Sequence, residues 1–290
     1  MSVHFPVSGV EINPLIPLLV AFVAASVTAP AGVSGAFLLL PFQVSVLGFT
    51  GPAASSTNLL YNVGATPGGI YRYIREGRMV WPLAWTVMLG TLPGVFAGAV
   101  LRVSYLSGAQ AFEVFVGAVL LYLGTSLLYE IVRRATRRDG SVKHGRRETE
   151  NPPDTPFVFN KPVVLLLSLA VGIVGGVYGV GGAAMIAPFL VTVLGMPIRA
   201  VAGATLMGTL ATSMAGVAFF QILAAGLDTG STVEPDYLLG GVLAAGGLAG
   251  TYVGARAQKF LPESLIKALL ATLVLSLAGS YLFGAFFYGG

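Results

Sequence analysis

The sequence predicts an all-α polytopic membrane protein made of two repeats of about five helices each, with the second repeat inverted in the membrane relative to the first. Three observations support this fold class: long stretches without a charged residue, a glycine-rich motif that occurs twice, and basic residues confined to a few loops. Of the 290 residues 55% are hydrophobic and 10% are charged, whereas charged residues make up about 25% of a soluble domain. The composition therefore excludes an ordinary soluble domain.

The predicted helices follow from the charge-free stretches, the longest of which are Ile12–Tyr71 and Pro162–Ile198. Both exceed the roughly 20 residues that one membrane helix needs, so each is expected to hold more than one helix. The first half contains the predicted helices Pro14–Pro30, Val33–Gly48, Ala53–Tyr71, Pro82–Leu101 and Gln110–Ile131. The second half contains Pro162–Val177, Gly181–Gly195, Ala200–Gly226, Pro235–Ala257 and Glu263–Phe287.

A basic segment rich in proline, residues 132–161, separates the two halves. Its composition is typical of a solvated linker rather than of a packed domain. The predicted organisation is therefore a first membrane repeat at residues 12–131, the linker, and a second membrane repeat at residues 162–288.

The duplicated motif reads GVSGAFLLLPF from Gly32 and GVGGAAMIAPF from Gly179, 147 positions later. In each copy the glycines separate two apolar segments that are short for membrane helices. Irregular backbone at membrane depth persists only where protein or a water-filled cavity satisfies its polar groups, and such interrupted helices line transport sites. Each half is therefore predicted to begin with a hairpin of two short helices joined at a glycine break, and the pair of breaks indicates a transport site.

The basic loops predict the orientation, because Lys and Arg accumulate on the cytoplasmic side of membrane proteins. With the linker in the cytoplasm, fifteen of the sixteen Lys and Arg residues lie inside and only Arg102 lies outside. Both termini are then outside, and five helices per half invert the second half. No Lys or Arg precedes the first apolar helix, so a cleavable signal peptide is not expected. The predicted location is the cytoplasmic membrane.

The motif, the basic central loop and two sets of glycines spaced by four together resemble the sulfite exporter TauE/SafE family, also called the 4-toluene sulfonate uptake permeases. The glycine sets are Gly90, Gly94, Gly98 and Gly246, Gly250, Gly254. Such sets let membrane helices pack closely. The resemblance extends from about Leu15 to Leu282 and is greatest at Gly175–Met196, while the first copy departs from the pattern at Ser34. It implies a permease for a small sulfur-containing oxyanion or organosulfonate, such as sulfite or sulfoacetate.

The glycine breaks are the first predicted binding positions for such an anion. A helix that begins after a break has free N–H groups and the positive end of its dipole at its first turn. The predicted ligands there are Ser34, Gly35, Gly181 and Gly182. The alternative is that these glycines only permit a tight helical hairpin.

A polar stripe follows each hairpin. Asn58, Asn62 and Thr66 are spaced by four, and at the offset of 147 they match Thr205, Thr209 and Ser213. Asn58 and Asn62 are the leading candidates, because adjacent amides at lipid depth are costly without a partner; Thr205 and Thr209 join them. The alternative is hydrogen bonding between helices. Thr28 and Tyr178 flank the breaks, and Gln43 is either a ligand or a helix cap.

Charged residues are weaker indicators of the substrate site than these polar residues. Arg72, Arg75 and Arg78 are predicted to set the topology, with a cytoplasmic funnel for anions as the alternative. Arg199 is a further candidate for substrate contact. Glu113 and Glu130 are predicted interfacial anchors, and Glu113 is also the candidate for proton coupling. A coupling ion, either a proton or sodium, and assembly into a homodimer are both compatible with the sequence.

Competing functions are a passive anion channel and a permease for a non-sulfur organic anion on the same scaffold. An enzyme is disfavoured, because the histidines, His4 and His144, lie in the tail and the linker and the chain has no cysteine. The expected partners are a small anion and the lipid bilayer, with no nucleic acid, metal or cofactor.

Overall fold

The computed structural model describes residues 2–106, 109–138, 159–192, 194–226 and 232–260, with scattered positions between 262 and 279. Within these residues the chain forms nine α-helices and one short antiparallel hairpin. The strands are β1 (Val3–His4) and β2 (Glu11–Ile12). The helices are α1 (Leu15–Thr28), α2 (Ala36–Ser45), α3 (Pro52–Arg75), α4 (Trp81–Ser104), α5 (Ala109–Arg138), α6 (Lys161–Tyr178), α7 (Gly182–Thr192), α8 (Ile198–Gly226) and α9 (Tyr237–Ala257).

Four of the described helices are long and apolar enough to cross a membrane: α4, α6, the Ala200–Gly226 part of α8, and α9. Helix α3 is polar along one face but has 24 residues, and at 1.5 Å per residue it measures about 36 Å, more than the roughly 30 Å of a bilayer core. The chain is therefore an all-helical, multi-pass membrane protein apart from β1 and β2.

The helices are interrupted at the predicted breaks. A short 3-10 turn, Ala29–Ala31, ends the first helix segment, Gly32 adopts the left-handed φ of 73°, and α2 begins at Ala36. In the second half α6 ends at Tyr178, after which Gly179 and Gly181 have φ values of 78° and 70°. Glycine has no Cβ and adopts positive φ freely, so these residues turn the chain between two helices.

The second helix of each hairpin is shorter than predicted. Helix α2 has 10 residues and α7 has 11. The predicted ends, Gly48 and Gly195, both have positive φ and lie beyond the helices in the following loops. A left-handed glycine terminates an α-helix rather than continuing it.

The two sets of glycines spaced by four pack one helix of each half against a helix of the other. A Cβ at Gly90, Gly94 or Gly98 of α4 would collide with the carbonyl oxygens of Leu165, Leu169 and Ile173 of α6. On α9, a Cβ at Gly246, Gly250 or Gly254 would likewise collide with the carbonyl oxygens of Leu18, Phe22 and Ser26 of α1. The packing role predicted for these glycines is confirmed. Each carbonyl of the first set lies 147 positions after its counterpart in the second.

The N-terminal hairpin is an addition to the predicted all-α architecture. Strands β1 and β2 pair antiparallel, with Val3 opposite Ile12, and Phe5 in the turn is fully buried. The Asp236 carboxylate accepts hydrogen bonds from the Ser8 N–H at 2.9 Å and the Ser8 hydroxyl at 2.8 Å, and from the Leu239 N–H at the start of α9. The hairpin therefore rests on the end of the bundle where α9 begins.

Helix α5 ends later than the predicted helix Gln110–Ile131. Helix α5 continues to Arg138, because alanine and arginine in this stretch are good helix formers. The rest of that segment up to residue 158, and most of the predicted helix Glu263–Phe287, lie outside the described residues.

Candidate functional site

Asn62 of α3 links the two glycine breaks. Its side-chain N–H donates to the Val180 carbonyl at 2.8 Å, and its carbonyl oxygen accepts a hydrogen bond from the Ser34 hydroxyl. Ser34 lies just before α2 and Val180 just before α7, so the N-terminal ends of both short helices meet at one fully buried amide. The two glycine breaks therefore lie next to each other, on either side of the Asn62 side chain.

Asn58 lies one turn earlier on α3 and holds the start of α2. Its amide donates to the Ala36 carbonyl at 2.9 Å and its oxygen accepts from the Gln43 amide at 3.2 Å. Gln43 therefore bonds a side chain and does not cap a helix end. Its own oxygen is buried and has no hydrogen-bond partner in the described part of the chain.

Tyr178 belongs to the second half but contacts the first. Its hydroxyl donates to the Phe37 carbonyl at 3.1 Å, and the two rings stack with centroids 5.8 Å apart. Helix α2 is thus held on one side by α3 and on the other by the residue that ends α6.

The threonines of the two polar stripes do not all make the same kind of contact. Thr205 donates to the Gly32 carbonyl at 2.8 Å and so contacts the first break. Thr209 donates to the Thr205 carbonyl in its own helix, as Thr66 does to Asn62 and Thr28 to Ala24. A threonine hydroxyl readily bonds the carbonyl one turn earlier, and this local bond explains why equal spacing in the sequence does not yield equal roles.

The two breaks contact the opposite halves in a reciprocal way. A Cβ at Gly32 would lie 2.5 Å from the Ala202 Cα on α8, and a Cβ at Gly179 would lie 2.6 Å from the Ser55 Cα on α3. Ser55 and Ala202 are themselves 147 positions apart. Neither glycine accepts a larger residue without moving a helix.

A buried hydroxyl lies beside each break without a hydrogen-bond partner among the described residues. The Tyr61 hydroxyl lies against Gly35. The Ser213 hydroxyl lies 2.6 Å from the point that a Cβ on Gly181 would occupy. Each is a donor that an incoming group could use. Ser213 belongs to the predicted stripe, whereas Tyr61 was not predicted, because a tyrosine in an apolar helix gives no local signal of function.

All nine predicted site residues are buried. The structure brings Ser34, Asn62, Thr205 and the glycines together at the breaks, with Asn58 and Tyr178 bracing α2 beside them. Thr209 and Gly182 lie nearby in the second half. A Cβ at Gly182 would come within 2.6 Å of the Gly172 Cα, so close packing of α7 on α6 requires a glycine at this position.

Arg102, near the end of α4, is a buried cation that the sequence-based prediction placed in the external loops. Its side chain is fully buried; Nε donates to the Ser55 hydroxyl at 3.1 Å and Nη2 to the Thr50 carbonyl at 2.7 Å. The sequence did distinguish this residue, because Arg102 was the only Lys or Arg predicted to lie outside the cytoplasm.

Basic residues at the opposite end of the bundle are paired. Arg72 and Arg78 both form ion pairs with Glu76, and Arg78 donates to the Gln258 side chain at 2.5 Å. These contacts fit residues that anchor a loop. The side chains of Arg199, Glu113 and Glu130 lie outside the described residues.

Comparison with known proteins agrees with this architecture. A family model described as "Sulfite exporter TauE/SafE" matches residues 17–281. The "Probable membrane transporter protein YjnA" of Bacillus subtilis (strain 168) is 23% identical over 261 residues, covering 89% of this chain and 95% of that protein. The "Probable membrane transporter protein YdhB" of the same organism is 23% identical over 253 residues, covering 87% and 94%. No solved structure matches the chain. The chain therefore belongs to the sulfite exporter TauE/SafE family of membrane transporters and not to a class of enzymes.

Proposed function

We propose that the protein is a secondary transporter that moves a small sulfur-containing oxyanion or organosulfonate, such as sulfite or sulfoacetate, across the cytoplasmic membrane. The observation that carries this proposal is the pair of hydrogen bonds by which Asn62 joins Ser34 to Val180. It places the N-terminal ends of α2 and α7 around one point, and the positive ends of helix dipoles stabilise an anion. The name of the matched family supports the substrate class.

The anion would bind among the residues at and beside the breaks. The proposed ligands are Ser34, Gly35, Asn58, Asn62, Tyr178, Gly181, Gly182, Thr205 and Thr209. The free hydroxyls of Tyr61 and Ser213 add a donor beside each break. An arriving oxyanion would accept a hydrogen bond from the Ser34 hydroxyl in place of the Asn62 oxygen, so this buried donor would exchange one acceptor for another rather than lose one.

The two membrane repeats, residues 12–131 and 162–288, would be related by an inverted two-fold axis. The support is reciprocal packing: α1 packs on α9 as α6 packs on α4, and the contacted carbonyls differ by 147 positions. Two halves of similar structure and opposite direction can exchange conformations, which opens the same site first to one side and then to the other.

Burial favours a carrier over a channel. The nine proposed ligands are enclosed by protein, so an ion reaches them only after helices move. A carrier saturates, since each anion requires one conformational cycle, whereas flux through a pore rises with concentration well beyond that rate.

The test is uptake by the purified full chain in liposomes, with radiolabelled sulfite, thiosulfate and sulfoacetate beside acetate and empty liposomes. Saturable uptake of a sulfur anion supports the proposal. Flux that does not saturate would indicate a channel. Uptake of acetate without any sulfur anion would indicate a carrier of organic anions. Repeating the measurement with an imposed proton or sodium gradient identifies the coupling ion.

A further inference from the structure

We propose that Arg102 binds the transported anion, on the path between the second glycine break and the end of the bundle that carries the N-terminal hairpin. This inference rests on the proposed anion transport. Arg102 is fully buried, and its Nη1 has no hydrogen-bond partner among the described residues. None of the described carboxylates lies within ion-pair distance of it; the ion pairs found there involve other residues.

An unpaired buried cation is costly, because it loses hydration without gaining a counter-charge. The Phe112 ring lies 3.5 Å from the Arg102 guanidinium carbon and compensates part of this cost. The Thr50 carbonyl and the Ser55 hydroxyl add neutral acceptors. An anion is the component that would complete this environment.

The position of Arg102 connects it to the candidate site. Ser55, which accepts from Arg102, donates to the Val177 carbonyl at 3.3 Å and contacts Gly179 with its backbone. Gly98, one turn before Arg102 on α4, packs directly on Gly176 and Val177. The guanidinium therefore lies beside the backbone that forms the second break.

The corresponding location in the other half shows that the fold does not require a free charge there. Gln258 follows Gly254 by four residues, as Arg102 follows Gly98, and its amide donates to the Pro30 carbonyl at 2.7 Å. Pro30 precedes Val177 by 147 positions. The cation at this location, Arg78, forms an ion pair with Glu76. In the part of the chain that the structure describes, the arginine at one end of the bundle is thus ion-paired and the arginine at the other end has no carboxylate partner.

Guanidinium geometry suits an oxyanion with two or three oxygens on one atom. Arginine donates two parallel hydrogen bonds to such a group, which lysine cannot do from its single nitrogen. Sulfite and sulfonates both have this arrangement of oxygens, so the Arg102 guanidinium would suit either class of proposed substrate.

The experiment compares wild type with Arg102→Gln, Arg102→Lys and the matched control Arg256→Gln, which removes one exposed charge of the same type. Glutamine is chosen because Gln258 occupies the equivalent position. Two quantities are measured with labelled sulfite: the half-saturating concentration for uptake in liposomes, and the sulfite-induced rise in the unfolding temperature of the purified protein. The second needs no transport cycle.

Arg102→Gln is expected to raise the half-saturating concentration on the order of 10- to 100-fold, as loss of a charge-assisted hydrogen bond does, and to remove the sulfite-induced shift. Arg256→Gln is expected to change neither by more than about twofold. Should Arg102→Gln fail to fold, Arg102→Lys decides, with an intermediate loss expected because the fork is gone.

The two proposals fail in different ways. Wild-type uptake together with unchanged sulfite dependence in the Arg102 variants would overturn the role of Arg102 and leave the transport function standing. If wild type transports another anion of the panel, the same comparison is made with that anion and is read in the same way. A wild type that neither binds nor transports any of these anions would overturn both.

Discussion

The Asn62 side chain donates to the Val180 backbone carbonyl at 2.8 Å, across 118 positions of the sequence. The carbonyl belongs to the residue between the two left-handed glycines, Gly179 and Gly181, two positions before α7 begins, and the same amide accepts from Ser34 before α2. One side chain of α3 therefore sets the separation of the two short helices.

Asn62→Ala is expected to lower anion uptake at least about tenfold and to destabilise the protein by about 1–2 kcal/mol, because two interhelical hydrogen bonds averaging about 0.6 kcal/mol each are lost. Asn62→Asp keeps the acceptor for Ser34 but removes the donor to Val180 and adds a negative charge, so it should abolish uptake. Thr66→Val is the control, since the Thr66 hydroxyl bonds only within its own helix. Equal loss in the control would contradict a special role for Asn62.

Gly250→Ala tests the packing of α9 on α1. The added Cβ would lie 2.8 Å from the Ala25 Cβ and also collide with the Phe22 carbonyl, so a loss of about 1–3 kcal/mol is expected. Gly241→Ala, on the same helix with nothing within 4 Å, should be neutral or stabilising by up to about 1 kcal/mol. Thermal unfolding followed by circular dichroism distinguishes the two, and equal effects would show that the glycines matter only for helix propensity.

Gly179→Ala separates close approach from backbone strain. Both Gly179 and Gly48 have positive φ, 78° and 69°, but only Gly179 has neighbours within 4 Å. Each substitution costs about 1–2 kcal/mol for the left-handed conformation. The Gly179 variant should lose more stability, together with uptake, because its Cβ enters the Ser55 backbone. The observation that would contradict this reading is a Gly48→Ala variant as unstable as Gly179→Ala.

Asp236→Ala is expected to release the N-terminal hairpin. The carboxylate holds the Ser8 N–H and hydroxyl and also caps α9 at Leu239, and loss of a helix cap alone costs about 1 kcal/mol. Hydrogen exchange of residues 3–12 should accelerate, while exposed Glu234→Gln leaves it unchanged. Unchanged exchange in the Asp236 variant would mean that the buried Phe5 holds the hairpin by itself.

The orientation is testable because the chain contains no cysteine. Ser2→Cys should react with a membrane-impermeant maleimide in cells whose outer envelope has been removed and whose cytoplasmic membrane is intact. His144→Cys, in the basic linker, should react only after the membrane is opened, as the positive-inside rule requires. The reverse pattern would invert the proposed topology and place Arg102 on the cytoplasmic side.

Much of the fold could be predicted because its signals are local. A charge-free stretch of sufficient length indicates a membrane helix, and a cluster of glycines indicates a break wherever the backbone must adopt positive φ. Glycines spaced by four indicate a packing face. The structure agrees on each of these, with helix ends shifted by a few residues and with α5 extended into the predicted linker.

The candidate site was only partly predictable, because periodicity indicates which face a residue occupies and not what it meets there. Asn62 and Thr209 share the same spacing rule, yet one bonds a distant carbonyl and the other its own helix. The Tyr61 hydroxyl beside Gly35 carried no signal at all. Arg102 was assigned to an external loop, although its guanidinium folds back against Thr50 and Ser55.

The amino-acid sequence by itself determined the membrane environment, the two breaks, the glycine packing faces and the family, since all of these depend on local composition and backbone freedom. The tertiary structure alone decided which polar groups lie at the breaks, which of them lack a partner among the described residues, and that Arg102 is buried without a described carboxylate beside it. The physical reason is that burial and hydrogen-bond partners depend on residues more than a hundred positions away, such as Val180 for Asn62 and Asp236 for Ser8.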